Sequence, residues 1–293
     1  MKRALLIGID YLAMPPITLN GCVYDVINMS HMLIDAYNYD SIVVLRDDIN
    51  NPATMPTRAN IMSNLQLLAQ QSTALDEIWV HYSGHGSQIP DKTAYASNGQ
   101  NQFLVPCDYQ TAGFIIDKDI LTIVKTIKCK AVFMFDACHS GSMCDLQWSY
   151  QYNTPTSWTK IQNNNMVISN PNIYMISGCK DDQTSSDAYI KIDKSAEGAF
   201  TNALITALRY YRHNVSIVNL YQYICGFLSA NGFAQTPVLS LTVPTPAYTF
   251  IRAAPVAPVT VVTTLAATKT IMSGTMKSIL YNSAVSTGNP GKL

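Results

Sequence analysis

A thiol and an imidazole follow two apolar segments of the chain and could act as a nucleophile and its base. His85 comes soon after segment 77–82, and Cys138 comes soon after segment 131–135. A cysteine nucleophile needs such a base to activate it. Taken alone, either residue is more often structural, as a buried cysteine or a hydrogen-bonded histidine. The glycines on both sides of His85 favour chemistry, because they let the backbone turn sharply and approach a substrate closely.

The two apolar segments would bring these residues together. Segments 77–82 and 131–135 are short and rich in β-branched and aromatic residues, without polar alternation. This pattern is typical of strands that are buried on both faces of a sheet. Ligands of open α/β sheets bind just beyond the carboxyl ends of such strands. If both strands belong to one sheet, His85 and Cys138 lie at the same edge.

The order of predicted elements indicates an α/β fold with a mostly parallel sheet between helices. Segments 88–102 and 142–170 are polar and predicted as loops. No Gly-x-Gly-x-x-Gly motif follows the first strand, which argues against a dinucleotide site. Strands are predicted at 2–10, 41–45, 77–82, 131–135, 173–177 and 237–241, and helices at 21–37, 57–71, 119–127, 198–211 and 217–229.

Composition excludes several classes of function. The 293 residues are 48% hydrophobic, enough for a sizeable core in one or two domains. The net charge of zero gives no reason to expect nucleic acid or an anionic membrane as a partner, and no apolar stretch is long enough to span a bilayer. Seven scattered cysteines without a Cys-x-x-Cys pair indicate reduced thiols in a cytoplasmic protein.

Motifs around both candidate residues resemble those of metacaspases, members of the caspase-like clan of cysteine peptidases. Tyr82–Ser87 and Asp136–Gly141 resemble the two active-site motifs of that family. The resemblance runs in order over about residues 2–242 and implies a caspase-like α/β/α sandwich. Further matches lie at 19–25, 105–109, 176–188 and 198–201.

The resemblance divides the chain into a peptidase domain, 1–242, and an extension, 243–293. The extension is rich in Ala, Thr, Val and Pro. We expect it to be loosely held, with one added strand at 256–264 as the alternative. Because Met1 directly precedes the first strand, no N-terminal prodomain is expected.

The family implies the catalytic roles. Cys138 would be the nucleophile and His85 the base, without a required cofactor. The oxyanion donors would be the backbone N–H groups of Gly86 and Cys138. His81, on the strand before His85, is predicted to be structural.

Strand parity adds a specificity pocket. Residues two apart on a strand face the same way, so Asp136 lies on the side of Cys138 and Ser83 on the side of His85. A carboxylate beside a nucleophilic thiol loses solvation and raises the pKa of the thiol, unless a cation pairs with the carboxylate. The resemblance implies an S1 pocket for Arg or Lys, formed by Asp136, Cys22 and Asp25 and lined by Ser83. Protein or peptide substrates with Arg or Lys at P1 are therefore expected. An Asp-specific caspase-type peptidase and a non-catalytic scaffold remain as alternatives.

Self-processing is a second expectation. Lys160 is the one Lys or Arg between Lys130 and Lys180, and it falls in the predicted loop 142–170. A flexible, exposed lysine suits self-cleavage, although a merely solvated loop lysine is an equal alternative. The family also implies a monomer, since extra strands cover the edge of the sheet at which caspases dimerise.

Many metacaspases are activated by calcium, but the sequence gives little support for a calcium site in this chain. Alignment on Pro106–Tyr109 puts Asn101 where the family has an aspartate and Asp117-Lys118 where it has an aspartate pair. One anionic ligand is lost and one cation is added, which lowers calcium affinity. Asp117 remains as a weak ligand, and activity without calcium is expected. A rearranged site is the alternative; it would recruit Asp91, Asp108 or Asp119.

Overall fold

The structure is a computed structural model that describes residues 1–90, 100–138, 140–154, 157–179, 187–189 and 196–254. Its helices are α1 (Cys22–Tyr37), α2 (Arg58–Gln71), α3 (Tyr109–Ala112), α4 (Asp117–Val124), α5 (Ala199–Tyr210) and α6 (Ile217–Ala230), with short 3-10 helices at Pro15–Ile17 and Ser72–Ala74. Its strands are β1 (Lys2–Gly8), β2 (Ser41–Arg46), β3 (Glu77–Ser83), β4 (Gly86–Pro90), β5 (Gln100–Leu104), β6 (Ile115–Ile116), β7 (Lys130–Asp136), β8 (Trp148–Thr154), β9 (Ser157–Gln162), β10 (Ile173–Ser177), β11 (Asp187–Tyr189), β12 (Ala196–Gly198), β13 (Val215–Ser216), β14 (Val238–Leu241) and β15 (Thr249–Phe250).

Eight strands form the central sheet in the order β2-β1-β3-β7-β10-β14-β8-β9. Neighbouring strands run parallel from β2 to β10. They run antiparallel from β10 to β9. The predicted mostly parallel sheet is therefore confirmed, and its five parallel strands all end at one edge.

Helices cover both faces of this sheet. In β3, Trp79 packs into the core shared with α1, α5 and α6, whereas Ile78 and Val80 pack into the core shared with α2 and α4. In β7, Met134 and Phe133 divide between the two cores in the same way. Both faces are apolar because these strands carry unbroken apolar runs. The predicted α/β/α sandwich is confirmed.

The predicted loop at 88–102 is wrong for the residues that the structure describes there. Strands β4 and β5 pair antiparallel, with Gly86 opposite Leu104, and residues 91–99 between them lie outside the described part. Phe103 and Leu104 are buried in the core with α2 and α4. The hairpin also buries two polar residues, Asn101 and Gln102, so its composition conceals the strand pattern.

The predicted loop at 142–170 is also wrong. Strands β8 and β9 extend the sheet beyond β14 at its antiparallel end. Ser149 and Tyr150 are buried, whereas residues 157–160 of the edge strand are exposed. Because β8 is only partly buried and β9 is exposed along most of its length, the two strands between them carry Asn, Gln, Ser and Thr, which gave this segment the composition of a loop.

The chain stays in contact with the core beyond Thr242, the predicted end of the peptidase domain. Tyr248 and Phe250 are buried, and the Phe250 ring lies 6.0 Å from that of Trp79. Strand β15 pairs with β13. The alternative strand at 256–264 lies outside the described residues, as does the whole of 255–293.

Two predictions about the whole chain can be compared with the described residues. All seven cysteines fall among them, and no disulfide joins any two. None of the helices there combines the length and the apolar character that crossing a membrane requires.

Candidate active site

The register of β3 on β7 brings His85 and Cys138 together. Ser83 is the pairing partner of Asp136, so His85 and Cys138 each lie two residues beyond the same paired position. Both residues are partly exposed, whereas the strands that lead to them are buried. The thiol and the imidazole therefore share the carboxyl edge of the sheet, where a substrate can reach them.

Gly86 lies directly against the backbone of Cys138. A Cβ atom at Gly86 would lie 2.3 Å from the carbonyl oxygen of Cys138, a distance that no real Cβ tolerates. The Gly84 N–H donates to the carbonyl of Asp136 at 3.2 Å, and this hydrogen bond also joins the segment after β3 to the end of β7. The backbones of Gly86 and Cys138 are therefore in close contact.

The His85 ring is oriented by a backbone carbonyl. Its Nε2 lies 2.7 Å from the carbonyl oxygen of Ile17. Because a carbonyl only accepts, Nε2 carries the hydrogen, and Nδ1 of the neutral ring remains an acceptor. This is the tautomer that a base needs if Nδ1 is to take the thiol proton. The sequence gave no sign of Ile17, since a backbone carbonyl leaves no trace in residue type.

The turn after Cys138 is pinned by hydrogen bonds. Ser140 is fully buried, and its hydroxyl donates to the carbonyl of Ala137 at 2.8 Å. The Gly178 N–H donates to the carbonyl of Phe135 at 2.7 Å and ties the preceding strand to the β10 end. His139 lies outside the described residues.

All four predicted S1 residues meet in one buried cluster. The Ser83 hydroxyl donates to Asp25 Oδ2 at 2.5 Å. Asp136 is the strand partner of Ser83, and Cys22 precedes Asp25 by less than one helical turn of α1. Burial, and then the carboxylate of Asp25, raise the pKa of the Cys22 thiol well above its usual value. Cys22 is therefore a neutral lining residue beside two carboxylates.

The start of α5 completes the cluster and was missed in the sequence. The Gly198 N–H donates to Asp25 Oδ1 at 2.9 Å, and the Thr201 N–H and hydroxyl both donate to Asp136 Oδ2 at 2.9 Å. The positive end of the helix dipole also favours nearby anions. A Cβ at Gly198 would lie 2.2 Å from Asp136 Oδ2, so a glycine is required. The Gly-Ala-Phe-Thr segment that opens this helix was the available signal.

His81 supports this cluster from behind. It is fully buried, and its Nε2 lies 3.1 Å from the hydroxyl oxygen of Thr201, which itself donates to Asp136. Burial lowers the pKa of His81 to about 3, so the ring is neutral. The contacts fit the structural role predicted for His81.

Asp117 is bound within the fold. Its two carboxylate oxygens accept the backbone N–H groups of Gln102 and Lys118, each at 2.7 Å. Asp108 and Asp119 both bind Arg58, and Asp91 lies outside the described residues. In the part of the chain that is described, no three His, Cys, Asp or Glu side chains are grouped to hold a metal ion.

Lys160 lies in strand β9 and not in a loop. Its backbone pairs with Tyr150 of β8, and its ammonium lies 5.4 Å from the centre of the Trp148 ring. The side chain is exposed. The predicted exposure holds, but the predicted loop backbone does not.

Known proteins resemble the chain along much of its length. The family model for the metacaspase, peptidase C14 domain matches residues 2–147. Metacaspase-1B of Aspergillus niger is 32% identical over 83% of this chain and 65% of that protein. Metacaspase-1B of Neosartorya fischeri is 31% identical over 83% of this chain and 69% of that protein. The match thus spans about two thirds of the length of these relatives.

Solved structures share the fold. A protein of Geobacter sulfurreducens superposes with a TM-score of 0.56 at 20% identity, covering 87% of this chain and 95% of that one. Caspase-1 of Spodoptera frugiperda superposes with a TM-score of 0.53 at 12% identity, covering 82% of this chain and 86% of that one. The fold is caspase-like, and by its sequence the chain belongs to the metacaspases, cysteine peptidases of family C14.

Proposed function

We propose that this metacaspase is a cysteine endopeptidase that cleaves after Arg or Lys, with Cys138 as the nucleophile and His85 as its base. The pairing of Ser83 with Asp136 carries the proposal. That register gathers a thiol, an imidazole and an acidic cluster at one edge of the sheet. The combination suits a substrate whose cationic side chain precedes the bond to be cut.

The proposed reaction has two stages. Cys138 Sγ attacks the scissile carbonyl carbon while its proton passes to Nδ1 of His85. The N–H groups of Gly86 and Cys138 stabilise the oxyanion. His85 then gives the proton to the leaving amine, the C–N bond breaks, and a thioester remains. Water, deprotonated by His85, attacks the thioester and releases the carboxylate product and the thiol.

Specificity for a cation is supported by charge. Asp25 and Asp136 are 0% and 5% exposed, and burying two carboxylates side by side is costly without compensation. The start of α5 and the Ser83 hydroxyl compensate in part. Since both carboxylates are buried in this conformation, the chain around them must open before an Arg or Lys side chain can reach them.

Two other functions are less well supported. An Asp-specific caspase-type peptidase would need cations in the pocket, whereas the cluster contains carboxylates. A non-catalytic scaffold would have no need of a thiol and an imidazole at one edge, nor of the glycine contact at Gly86.

We further propose that the protein acts in the cytoplasm as a monomer, without nucleic-acid or membrane partners. We also propose that it acts without calcium, since Asp117 is already bound by two N–H groups.

Hydrolysis of fluorogenic peptides that end in Arg, Lys or Asp tests the proposal. The wild type should cleave the Arg and Lys peptides equally well in chelator and in millimolar calcium, and Cys138→Ala should cleave none. Cys129→Ala is the matched control, because Cys129 lies at the opposite end of β7 and should be dispensable. Cleavage of the Asp peptide alone would favour the caspase-type alternative, and an inactive wild type would favour the scaffold. A large rise with calcium that Asp117→Ala abolishes would show that calcium does bind.

A further inference from the structure

We propose that Tyr11 is a positioning residue for His85 and that its hydroxyl holds the histidine backbone where the imidazole can serve Cys138. The inference rests on the proposed cysteine-peptidase function. Tyr11 lies just after β1, outside all the motifs discussed above, and its side chain is fully buried. It does not take part in bond making.

Tyrosine hydroxyls bind both sides of the His85 residue. The Tyr11 hydroxyl accepts the His85 N–H at 2.9 Å and donates to the Val105 carbonyl at 2.7 Å. The Tyr82 hydroxyl donates to the His85 carbonyl at 2.7 Å. The two hydroxyl oxygens lie 3.2 Å apart. Both the donor and the acceptor of the His85 main chain are therefore fixed by buried side chains.

His85 needs such fixing because of its neighbours. Gly84 and Gly86 leave the backbone on each side with more conformational freedom than any other residue would. Gly84 is also necessary for the contact, since a Cβ there would lie 2.9 Å from the Tyr82 hydroxyl and 3.1 Å from that of Tyr11. Gly86 lets the backbone beside His85 lie against Cys138, and the two hydroxyls restrict the conformational freedom that the glycines bring.

The backbone of Tyr11 is strained in a way that points to function. Its φ is 54°, a left-handed conformation that bulky residues rarely adopt. Asp47 stabilises it by accepting the N–H groups of Asp10 at 2.9 Å and of Leu12 at 3.2 Å, on either side of Tyr11. Strain retained under such support is a feature of active sites, where it sets a geometry in advance.

The same loop also orients the imidazole. The Tyr11 carbonyl accepts the Met14 N–H at 2.8 Å, and the Met14 carbonyl accepts the Ile17 N–H at 2.9 Å. Ile17 in turn accepts from Nε2 of His85. The Tyr11 ring lies 4.7 Å from the His85 ring. One loop thus positions His85 at its backbone, at its ring face and at Nε2.

Tyr11→Phe tests this role, because it removes the hydroxyl and keeps the ring. We expect kcat on an Arg peptide to fall roughly 10–100-fold with little change in KM, as for a slightly misplaced base. Alkylation of Cys138 by iodoacetamide, which needs no peptide substrate, should slow in parallel. Tyr39→Phe is the matched control: Tyr39 is equally buried, and its hydroxyl donates to Glu77 at the opposite end of β3. Tyr39→Phe should lose a comparable amount of folding stability, and it should hydrolyse the peptide and react with iodoacetamide at the wild-type rates.

A second pair of variants covers the case in which Tyr11→Phe fails to fold. Asp47→Ala removes the support of the Tyr11 turn and should lower kcat, whereas Asp48→Ala next to it should not. Wild-type kcat and wild-type alkylation in Tyr11→Phe, or equal losses in Asp47→Ala and Asp48→Ala, would overturn the inference. An inactive wild type whose Cys138 alkylation still depends on Tyr11 would instead count against the proposed peptidase activity alone.

Discussion

At the scale of single residues, the account depends most on a glycine. Gly86 touches the Cys138 carbonyl so closely that a methyl group would force the two segments apart. Gly86→Ala should therefore lower kcat by roughly 100-fold, the cost of misplacing reacting groups by about an ångström. Gly226→Ala is the control, because nothing lies within 4 Å of a Cβ there. It should leave activity intact and stabilise α6 by about 0.5–1 kcal/mol. Wild-type kcat in Gly86→Ala would contradict the proposed site geometry.

The acidic cluster makes a separate prediction about binding. Asp136→Ala should raise the barrier for Arg and Lys peptides by about 2–5 kcal/mol, the usual cost of leaving one partner of a buried charge pair alone. Alkylation of Cys138 should continue, since the nucleophile and its base are untouched. Asp35→Ala, on the exposed side of α1, should change neither measurement. Unchanged kcat/KM for Arg peptides in Asp136→Ala would rule out this pocket.

His81 predicts a dependence of stability on pH. Its pKa is lowered to about 3 in the folded protein, whereas an unfolded histidine titrates near 6.5. Between these values the unfolded chain binds the extra proton, so stability is full above pH 6.5 and declines as the pH falls toward 3. The slope is at most about 1.4 kcal/mol per pH unit. The free energy of unfolding of His81→Asn, measured in urea, should decline less steeply with falling pH than that of the wild type. A variant of the exposed His31, His31→Asn, should decline as the wild type does. Identical slopes in all three proteins would contradict a buried neutral His81.

Sequence reasoning found the residues whose role lies in their type and parity. Counting along two recognisable strands put Ser83, His85, Asp136 and Cys138 at one edge of the sheet. The resemblance to metacaspases then supplied their expected roles. Thr201 and Ile17 could not be found in this way. Thr201 reaches Asp136 from a helix 65 residues away, and Ile17 acts through its carbonyl group.

At the scale of elements, fully buried strands were predictable and half-buried ones were not. Strand β3 is buried along its whole length and has an unmistakable apolar run. Strand β4 is partly exposed and β9 is largely exposed, with residues 157–160 of β9 exposed in succession, so both strands can carry polar residues. Pairing with β5 and β8 decides the conformation of these strands, and composition alone cannot reveal this.

The position of Lys160 in β9 changes how self-processing would proceed. A peptidase binds its substrate as an extended chain, and β9 is already paired with β8. Because β9 is an edge strand, it can leave the sheet without disturbing other pairs. Cleavage after Lys160 should therefore be slow and should accelerate in mild urea. Intact-mass measurements over time should show it in the wild type and in Lys125→Gln, but not in Cys138→Ala or Lys160→Gln. A cut elsewhere, or the same cut in Cys138→Ala, would refute it.

At the scale of the whole molecule, the alternation of predicted strands and helices was enough to predict the α/β/α sandwich, but it did not predict the order of the strands in the sheet. Helices separate β1, β2, β3 and β7 along the chain, and they implied that these four strands are parallel. Strand β10 also joins the parallel part, although no helix lies between β7 and β10 among the described residues. The antiparallel addition of β14 and of the β8–β9 hairpin was not evident, because β14 pairs with β8 although the two strands lie far apart along the chain, at 238–241 and 148–154. The contact of Tyr248 and Phe250 with the core was equally hidden, because the composition changes at Val243 although the packing continues.

The proposed function requires two features of the whole molecule: a reactive thiol at Cys138 and a site beside it that binds a cation once Asp25 and Asp136 are uncovered. An irreversible peptide ketone with Arg at P1 tests both at once, followed by mass mapping of the labelled residue. The account predicts a stoichiometric adduct on Cys138 with the Arg reagent, and little adduct with the matching Asp reagent. Labelling of another cysteine, or preference for the Asp reagent, would contradict it.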